Sequence, residues 1–375
     1  MSAPRPLEFR DVERGRALSA RLDAAVARAG RELTVMHVCG SHEQAMARYG
    51  LRARFPHDLH VQMGPGCPVC VTDAPEIDAV IALAEAGLVI LTYGDMLRVP
   101  GRAGSLDDAR AAGARVEVIY SATQAVERAR ATREPVVLFA TGFETTAVAT
   151  AAILCAGAPD NLYVFSAHKW VPAAMEVVAR APDSRIEGYL AAGHAATITG
   201  YGVFEPFVRE HRRPVVVAGF EPLDILAGLV LLAEQVADGR AEVVNAFPRC
   251  VGRDGNARAL EALWRVFRLG DGEWRGIARV PGGELVLKDA YAAWDATKRF
   301  AGVLASATAP SERANARDCR CGAIMTGIAQ PTDCVHFGKA CRPETPVGAC
   351  MVSTEGPCRI WLEHGVDVVR PGART

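Results

Sequence analysis

Short apolar, β-prone runs recur along the first 245 residues, separated by alanine-rich stretches of helical length. Leu33–Val38, Leu59–Met63, Leu88–Thr92 and Val116–Tyr120 form one series, and Pro135–Ala140, Leu162–Ser166, Ile186–Ala191 and Pro214–Ala218 form a second. The intervening stretches 74–86, 121–131, 145–157 and 171–181 predict helices. Strands alternating with helices imply βαβ crossovers and parallel sheets covered on both faces. Four strands followed by four more suggest a duplicated unit, an α/β domain over 1–133 and a related one over 134–245. From 246 the alternation fades, a helix is expected at 289–305, and glycine, proline and cysteine become frequent, so 246–375 is expected to be a small Cys-rich domain organised around a metal centre.

Bulk properties narrow the function. A chain of 375 residues can bury proper cores, and its net charge of −1, without blocks of like charge, argues against nucleic acid or an anionic membrane as the main partner. Residues 1–30 are rich in Arg, Asp and Glu and lack a signal peptide's apolar core. The longest apolar stretches, near 79–91 and 223–233, carry an acid or are too short to span a bilayer. A cytoplasmic location is the simplest expectation. Thiols stay reduced there, so clustered cysteines point to metal binding or catalysis before structural disulfides.

Two groups of the eleven cysteines carry that signal. Upstream stand Cys39, in His37-Val38-Cys39-Gly40-Ser41-His42-Glu43, and the Cys67-Pro68-Val69-Cys70 pair after Gly64-Pro65-Gly66. Two thiols at the second spacing can close a disulfide or ligate one soft metal. Asp73 is expected to cap a helix, leaving Cys70 just outside its N-terminus, where the dipole favours thiolate. His42 and Glu43 follow Cys39 within one turn, with His42 a candidate proton donor. The turn Thr141-Gly142-Phe143-Glu144-Thr145-Thr146 places a carboxylate and hydroxyls at a second strand end, where a small anion could be held. His168-Lys169, Gly193-His194 and Gly219–Asp224 follow other strands and are expected to form a polar cleft on the second sheet.

Downstream, Cys319, Cys321, Cys334, Cys341, Cys350 and Cys358 fall within forty residues. Zinc ribbons show paired Cys-x-x-Cys knuckles, and none occurs here. Gaps of 12, 6, 8 and 7 residues after the initial Cys-x-Cys suit a cluster gripped by scattered loops. Four thiolates suffice for a [4Fe–4S] cluster, which leaves two thiols for a neighbouring pair. Cys155 and Cys250 are expected to be buried and inert.

The combination of His37–Glu43, Gly64–Cys70, Thr141–Thr146, Ala218-Gly-Phe-Glu221-Pro-Leu-Asp-Ile-Leu, Trp274-Arg-Gly-Ile and Gly348-Ala-Cys350-Met-Val-Ser-Thr-Glu-Gly resembles the HypD family of hydrogenase maturation factors. The resemblance runs from about residue 30 to 360. It implies two related parallel-sheet α/β domains plus an iron–sulfur domain. It also implies a scaffold role with a small HypC-type chaperone, on which the Fe(CN)2CO moiety of [NiFe]-hydrogenase is assembled. Cyanide would come from a HypE-type donor, and the hydrogenase large subunit would be served indirectly. Carried over by motif, Cys39, Cys67 and Cys70, with His42 close by, line a cleft where iron is held or reduced, Cys39 and Cys70 being the candidate iron ligands. Glu43, Glu144, Thr145 and Thr146 are further cleft residues. Cys319, Cys334, Cys341 and Cys358 are implied as cluster ligands, and Cys321 with Cys350 as a redox pair relaying electrons towards Cys67 and Cys70.

Two other readings of the same residues stand beside it. One is a free-standing iron–sulfur disulfide reductase using Cys67 and Cys70. The other is a zinc-stabilised binding module without redox chemistry.

Overall fold

The computed structural model describes residues 11–102, 104–307 and 318–365. Among them eleven strands form three sheets. β1 (Leu33–His37), β2 (Leu59–Met63), β7 (Gly188–Ala192), β8 (Val215–Ala218) and β9 (Val243–Asn245) make one parallel sheet, in the order β2-β1-β7-β8-β9. β3 (Val89–Tyr93), β4 (Val116–Ile119), β5 (Val136–Gly142) and β6 (Leu162–His168) make a second parallel sheet, ordered β4-β3-β5-β6. β10 (Phe267–Trp274) and β11 (Ala278–Leu287) pair as an antiparallel hairpin.

The parallel strands β1–β8 and the helices Ala74–Glu85, Ala122–Arg130, Glu144–Cys155 and Val171–Arg180 lie where the apolar runs put them, whereas β9 matches none of those runs. Their grouping differs from the expected four-plus-four. The first sheet takes β1 and β2 from the start of the chain and completes itself with β7–β9, while β3–β6 are set between them in sequence. The expected boundary at 133/134 therefore falls inside the second sheet, between β3 and its neighbour β5. Runs of similar composition carry no label for their sheet; pairing is decided by long-range packing.

Helix Val12–Ala29, capped by Asp11, lies against helix Pro222–Ala237 on one face of the first sheet. Its buried Leu22, Ala25 and Val26 join Leu33, Val35, Val216 and Leu229 in one core. The expected helix at 289–305 is broken into a 3-10 turn, Asp289–Trp294, and short helices Ala296–Arg299 and Ala301–Ser306. No helix among the described residues is long and apolar enough to cross a membrane.

Both sheets reverse strand order once. In the first sheet the switch lies between β1 and β7, in the second between β3 and β5. The crevice beyond the carboxyl ends of strands at such a point is the natural ligand position of an open α/β sheet.

Candidate functional site

At the first switch point β1 leads into Cys39 and β7 into His194. Cys39 is the N-cap of helix Gly40–Arg48, and its Sγ lies 3.9 Å from His194 Nδ1. The thiol is buried and pushed up to about 12, because burial outweighs the N–H groups of His42 and Ser41 that favour its thiolate. His194 is held below the ordinary imidazole range by burial. A neutral imidazole facing a protonated thiol can accept that proton once a cation claims the sulfur. His194 was legible only as a histidine after a strand, and its pairing with Cys39 needed the β1–β7 contact across 155 positions of chain.

His42 is fully buried, and Nε2 donates to Gly219 O at 3.0 Å while Nδ1 has no partner. Burial first, then His37 and His194, lowers its pKa to about 3. It is therefore a neutral ring with a bare acceptor nitrogen, not the proton donor expected. Phe220 packs on both His42 and His194, with ring centroids 4.9 and 5.1 Å away.

Glu43 does not open into a cleft. Its carboxylate has no exposure and accepts from His37 Nε2 at 2.8 Å, Arg52 Nε at 3.0 Å and Nη2 at 2.5 Å, and Trp361 Nε1 at 2.7 Å. Burial alone would raise its pKa, but Arg52 and His37 hold it well below the usual carboxylate range. His37 Nδ1 in turn meets Cys39 O at 3.0 Å. This ionised carboxylate ties the Cys39 turn to Pro357–His364, the helix that carries Cys358.

β2 runs parallel to β1 in register His37↔Met63, which delivers Gly64-Pro65-Gly66-Cys67 alongside the Cys39 turn. Gly40 N donates to Gly66 O at 3.0 Å, and a Cβ on Gly66 would sit 2.1 Å from Cys39 N. Only glycine allows that approach. Cys67 and Cys70 are joined in a disulfide. Cys70 lies inside the short helix Pro68–Val71, whose N-cap is Cys67, and thus just ahead of the later helix Ala74–Glu85, as expected. The expected cap at Asp73 is present as a capping box with Glu76.

The six downstream thiols converge. Cys350 N donates to Cys321 Sγ at 3.4 Å, and the neighbouring Cys319 and Cys350 thiols lower the Cys321 pKa. Cys350 also meets Cys358, and Cys341 feels both Cys358 and Cys321, while Cys334 acts on Cys319. A Cβ at Gly348 would fall 2.6 Å from Cys319 Sγ. Six soft donors from several loops, four of them buried, fit an iron–sulfur cluster by chemistry and number. The turn Ala349–Met351, which contains Cys350, packs against helix Pro68–Val71. Glu355 accepts from Ser41 Oγ at 3.0 Å and leaves no room for a side chain at Gly40. All three cysteine groups thus meet at the carboxyl edge of the first sheet.

At the second switch point Thr145 and Thr146 line a cavity of about 470 Å³ with Tyr93, Asp95, Pro68 and Val69. Glu144 turns inward: Oε1 accepts from Val171 N at 2.9 Å, Oε2 has no partner, and burial raises its pKa to about 7. His168 and Lys169 end β6 on the second sheet, whereas His194 and Gly219–Asp224 follow strands of the first. They do not share the single polar cleft expected. Cys155 and Cys250 are exposed, not buried.

A family model described as "HypD: Hydrogenase formation hypA family" matches residues 14–365. The chain belongs to the HypD family. Among similar proteins, hydrogenase maturation factor HypD of Azotobacter vinelandii is 41% identical over 96% of both chains. That of Rhizobium leguminosarum bv. viciae is 42% identical over 96% of this chain and 94% of its own. The Rhodobacter capsulatus HypD is 37% identical, covering 96% and 97%. This HypD-family chain is accordingly a hydrogenase maturation factor, and every cysteine of the converging edge lies within the matched residues.

Proposed function

We propose that this maturation factor is the scaffold on which the iron fragment of [NiFe]-hydrogenase is assembled, in complex with a HypC-type chaperone. The observation that carries the reading is the meeting of Cys39, the Cys67–Cys70 disulfide and the downstream thiols at one switch point. The cargo is iron, acquiring cyanide from a HypE-type donor and CO, and Cys39 with Cys70 are its candidate ligands. Thiolates suit an electron-rich iron carrying such ligands. Cys39 binds as thiolate, and its proton passes to His194 Nδ1, the half-buried acceptor 3.9 Å away. His42, neutral and packed against Phe220, keeps the pocket dry and offers Nδ1 as a further acceptor.

Cys319, Cys334, Cys341 and Cys358 would hold a [4Fe–4S] cluster, which supplies single electrons when bound. Cys321 and Cys350 are then the neighbouring pair, and Cys350 N donates to Cys321 Sγ at 3.4 Å. The packing of the Cys350 turn against Pro68–Val71 supports a relay to Cys67 and Cys70.

Vibrational spectroscopy of the anaerobically purified complex with the chaperone tests the scaffold reading. Cyanide and CO stretches are expected in wild type and absent in Cys39→Ala; unchanged stretches in that variant would remove the iron assignment. Metal and sulfide analysis tests the cluster, and a zinc-only protein without broad visible absorbance would exclude it. A free-standing disulfide reductase is favoured only by the Cys67–Cys70 bond. It would retain its full activity in Cys39→Ala.

A further inference from the structure

The amino edge of the first sheet, opposite the thiols, carries a separate concentration of charge. Its strands are parallel, so the chain enters β1, β7, β8 and β9 from the same side. Arginine stands just ahead of each: Arg31, Arg185, the Arg212-Arg213 pair and Arg240. All of them line one cavity of about 410 Å³. In a chain of net charge −1 this is a local excess of positive charge.

Helix geometry explains part of the placement. These arginines follow the helices Val12–Ala29, Val171–Arg180, Glu205–His211 and Pro222–Ala237, and a cation is favoured near a helix C-terminus. That accounts for a charge at each helix end, but not for the lack of counter-charges around the cavity. Glu187, the one carboxylate among the lining residues, is taken by Arg31 at 2.5 Å. Arg240 is answered by Asp238 and Glu242 at 3.3 and 3.4 Å. Arg185 and Arg212 meet no carboxylate among the described residues, and Arg213 donates only to the Ala179 carbonyl, at 3.0 Å. Ser184 lines the same cavity with a buried hydroxyl that has no hydrogen-bond partner. Arg212 sits at φ 53°, a left-handed conformation that a side-chain-bearing residue rarely adopts, in the turn that brings it and Arg213 to the wall.

Three uncancelled guanidiniums and a free hydroxyl around one concavity select an oxyanion. A carboxylate answers one guanidinium, whereas a phosphate group brings about −1.5 to −2 charge and three acceptor oxygens. The volume falls within the range of small-molecule clefts, about 300–1,000 Å³, and leaves no room for a folded segment of a partner. Ile186, Pro214 and Val236 supply an apolar wall for the rest of such a molecule. We propose that this cavity binds a small phosphorylated molecule, with Arg185, Arg212 and Arg213 on its phosphate groups. The site is independent of the thiol edge and of the scaffold reading. Its occupancy ties the starts of β7 and β8 together, so binding stabilises the folded chain.

The test is isothermal titration calorimetry of the full chain with inorganic pyrophosphate, at an ionic strength held constant with sodium chloride. Saturable binding is expected, with a melting temperature that rises as pyrophosphate is added. Arg185→Gln and Arg212→Gln should each weaken binding about tenfold, because each loses a hydrogen bond between charged groups. Arg268→Gln, which removes an exposed charge from the β10–β11 hairpin, should bind as wild type. Arg185 and Arg212 are exposed, and unfolding without pyrophosphate checks that their variants fold; if Arg212→Gln does not, Arg185→Gln decides alone. A variant that melts lower yet binds pyrophosphate as wild type shows that the arginines serve only the helix ends, and the proposal fails. It fails equally if no saturable heat is seen, or if Arg268→Gln loses as much affinity as the cavity variants. A polyglutamate peptide that binds more tightly than pyrophosphate would overturn it in favour of an acidic protein partner.

Discussion

The Glu43 network makes a sharp energetic prediction, because a carboxylate with no exposure is kept ionised chiefly by one neighbour. Arg52 donates to both oxygens of Glu43 and lies over the Trp361 ring at 5.5 Å. Removing one partner of a buried pair leaves an uncompensated charge and costs about 3–5 kcal/mol. The Arg52 side chain is 19% exposed and Glu43 is 0%, so water reaches only the arginine side, and about 3 kcal/mol is expected for Arg52→Met at pH 7.5. Glu43→Gln in the same background should restore about 2 kcal/mol, since an amide can still accept from Trp361 and donate to His37 without needing a cation. The sign of the pH dependence follows. In wild type the carboxyl is depressed, so its contribution is present above the unfolded value of 4.5 and is lost as pH falls towards the folded value. In Arg52→Met, burial raises the carboxyl instead, so a deficit is already present at pH 5, where the variant lacks the wild-type contribution, and it grows further towards pH 8. Urea unfolding of the four proteins at those two pH values measures all of this. An Arg52→Met deficit below about 1 kcal/mol, or one indifferent to pH and to Glu43→Gln, would refute the reasoning.

Further expectations can be checked on the isolated chain. Glu144 is buried, half-partnered and raised from 4.5 to about 7, so stability is lost as pH rises from 4.5 to about 7; Glu144→Gln should stabilise by about 3 kcal/mol at pH 8 and by little at pH 4, read by thermal denaturation. Gly66→Ala places a methyl against the backbone of Val38 and Cys39 and should destabilise by about 3 kcal/mol, again by melting, while opening Cys39 to alkylation. Under native conditions a maleimide should label Cys155 and Cys250 within minutes and leave Cys39 unlabelled, because Cys39 is 2% exposed and its thiol is pushed up to about 12.

Much of the fold was legible because each parallel strand is a compact apolar run, such as Leu162–Ser166 within β6. The hairpin was not: β10 and β11 mix charged residues and glycines, and only alternate positions such as Trp274, Val280 and Leu285 are fully buried. Helix Val12–Ala29 escaped for a related reason, since its buried face is narrow and its surface rich in arginine. Cys39, Cys67 and Cys70 stood out by motif, and their convergence follows from β1 and β2 being neighbours. Glu43 was misread because the residues that neutralise and satisfy it, Arg52 and Trp361, lie 9 and 318 positions away. No local pattern announces a buried ion network.

The interleaving of the two sheets also bears on how the protein is made. On the ribosome β1 and β2 emerge first, with Cys39 and the Cys67–Cys70 segment attached, yet a two-stranded parallel unit has little stability alone. β7 must be translated before His194 can face Cys39, β8 before Gly219 can accept from His42, and the last helix before Trp361 can reach Glu43. An unfinished chain therefore carries every upstream thiol but no assembled pocket. Order of synthesis thus sets order of assembly: the pocket around Cys39 is closed only after helix Pro357–His364 has been made.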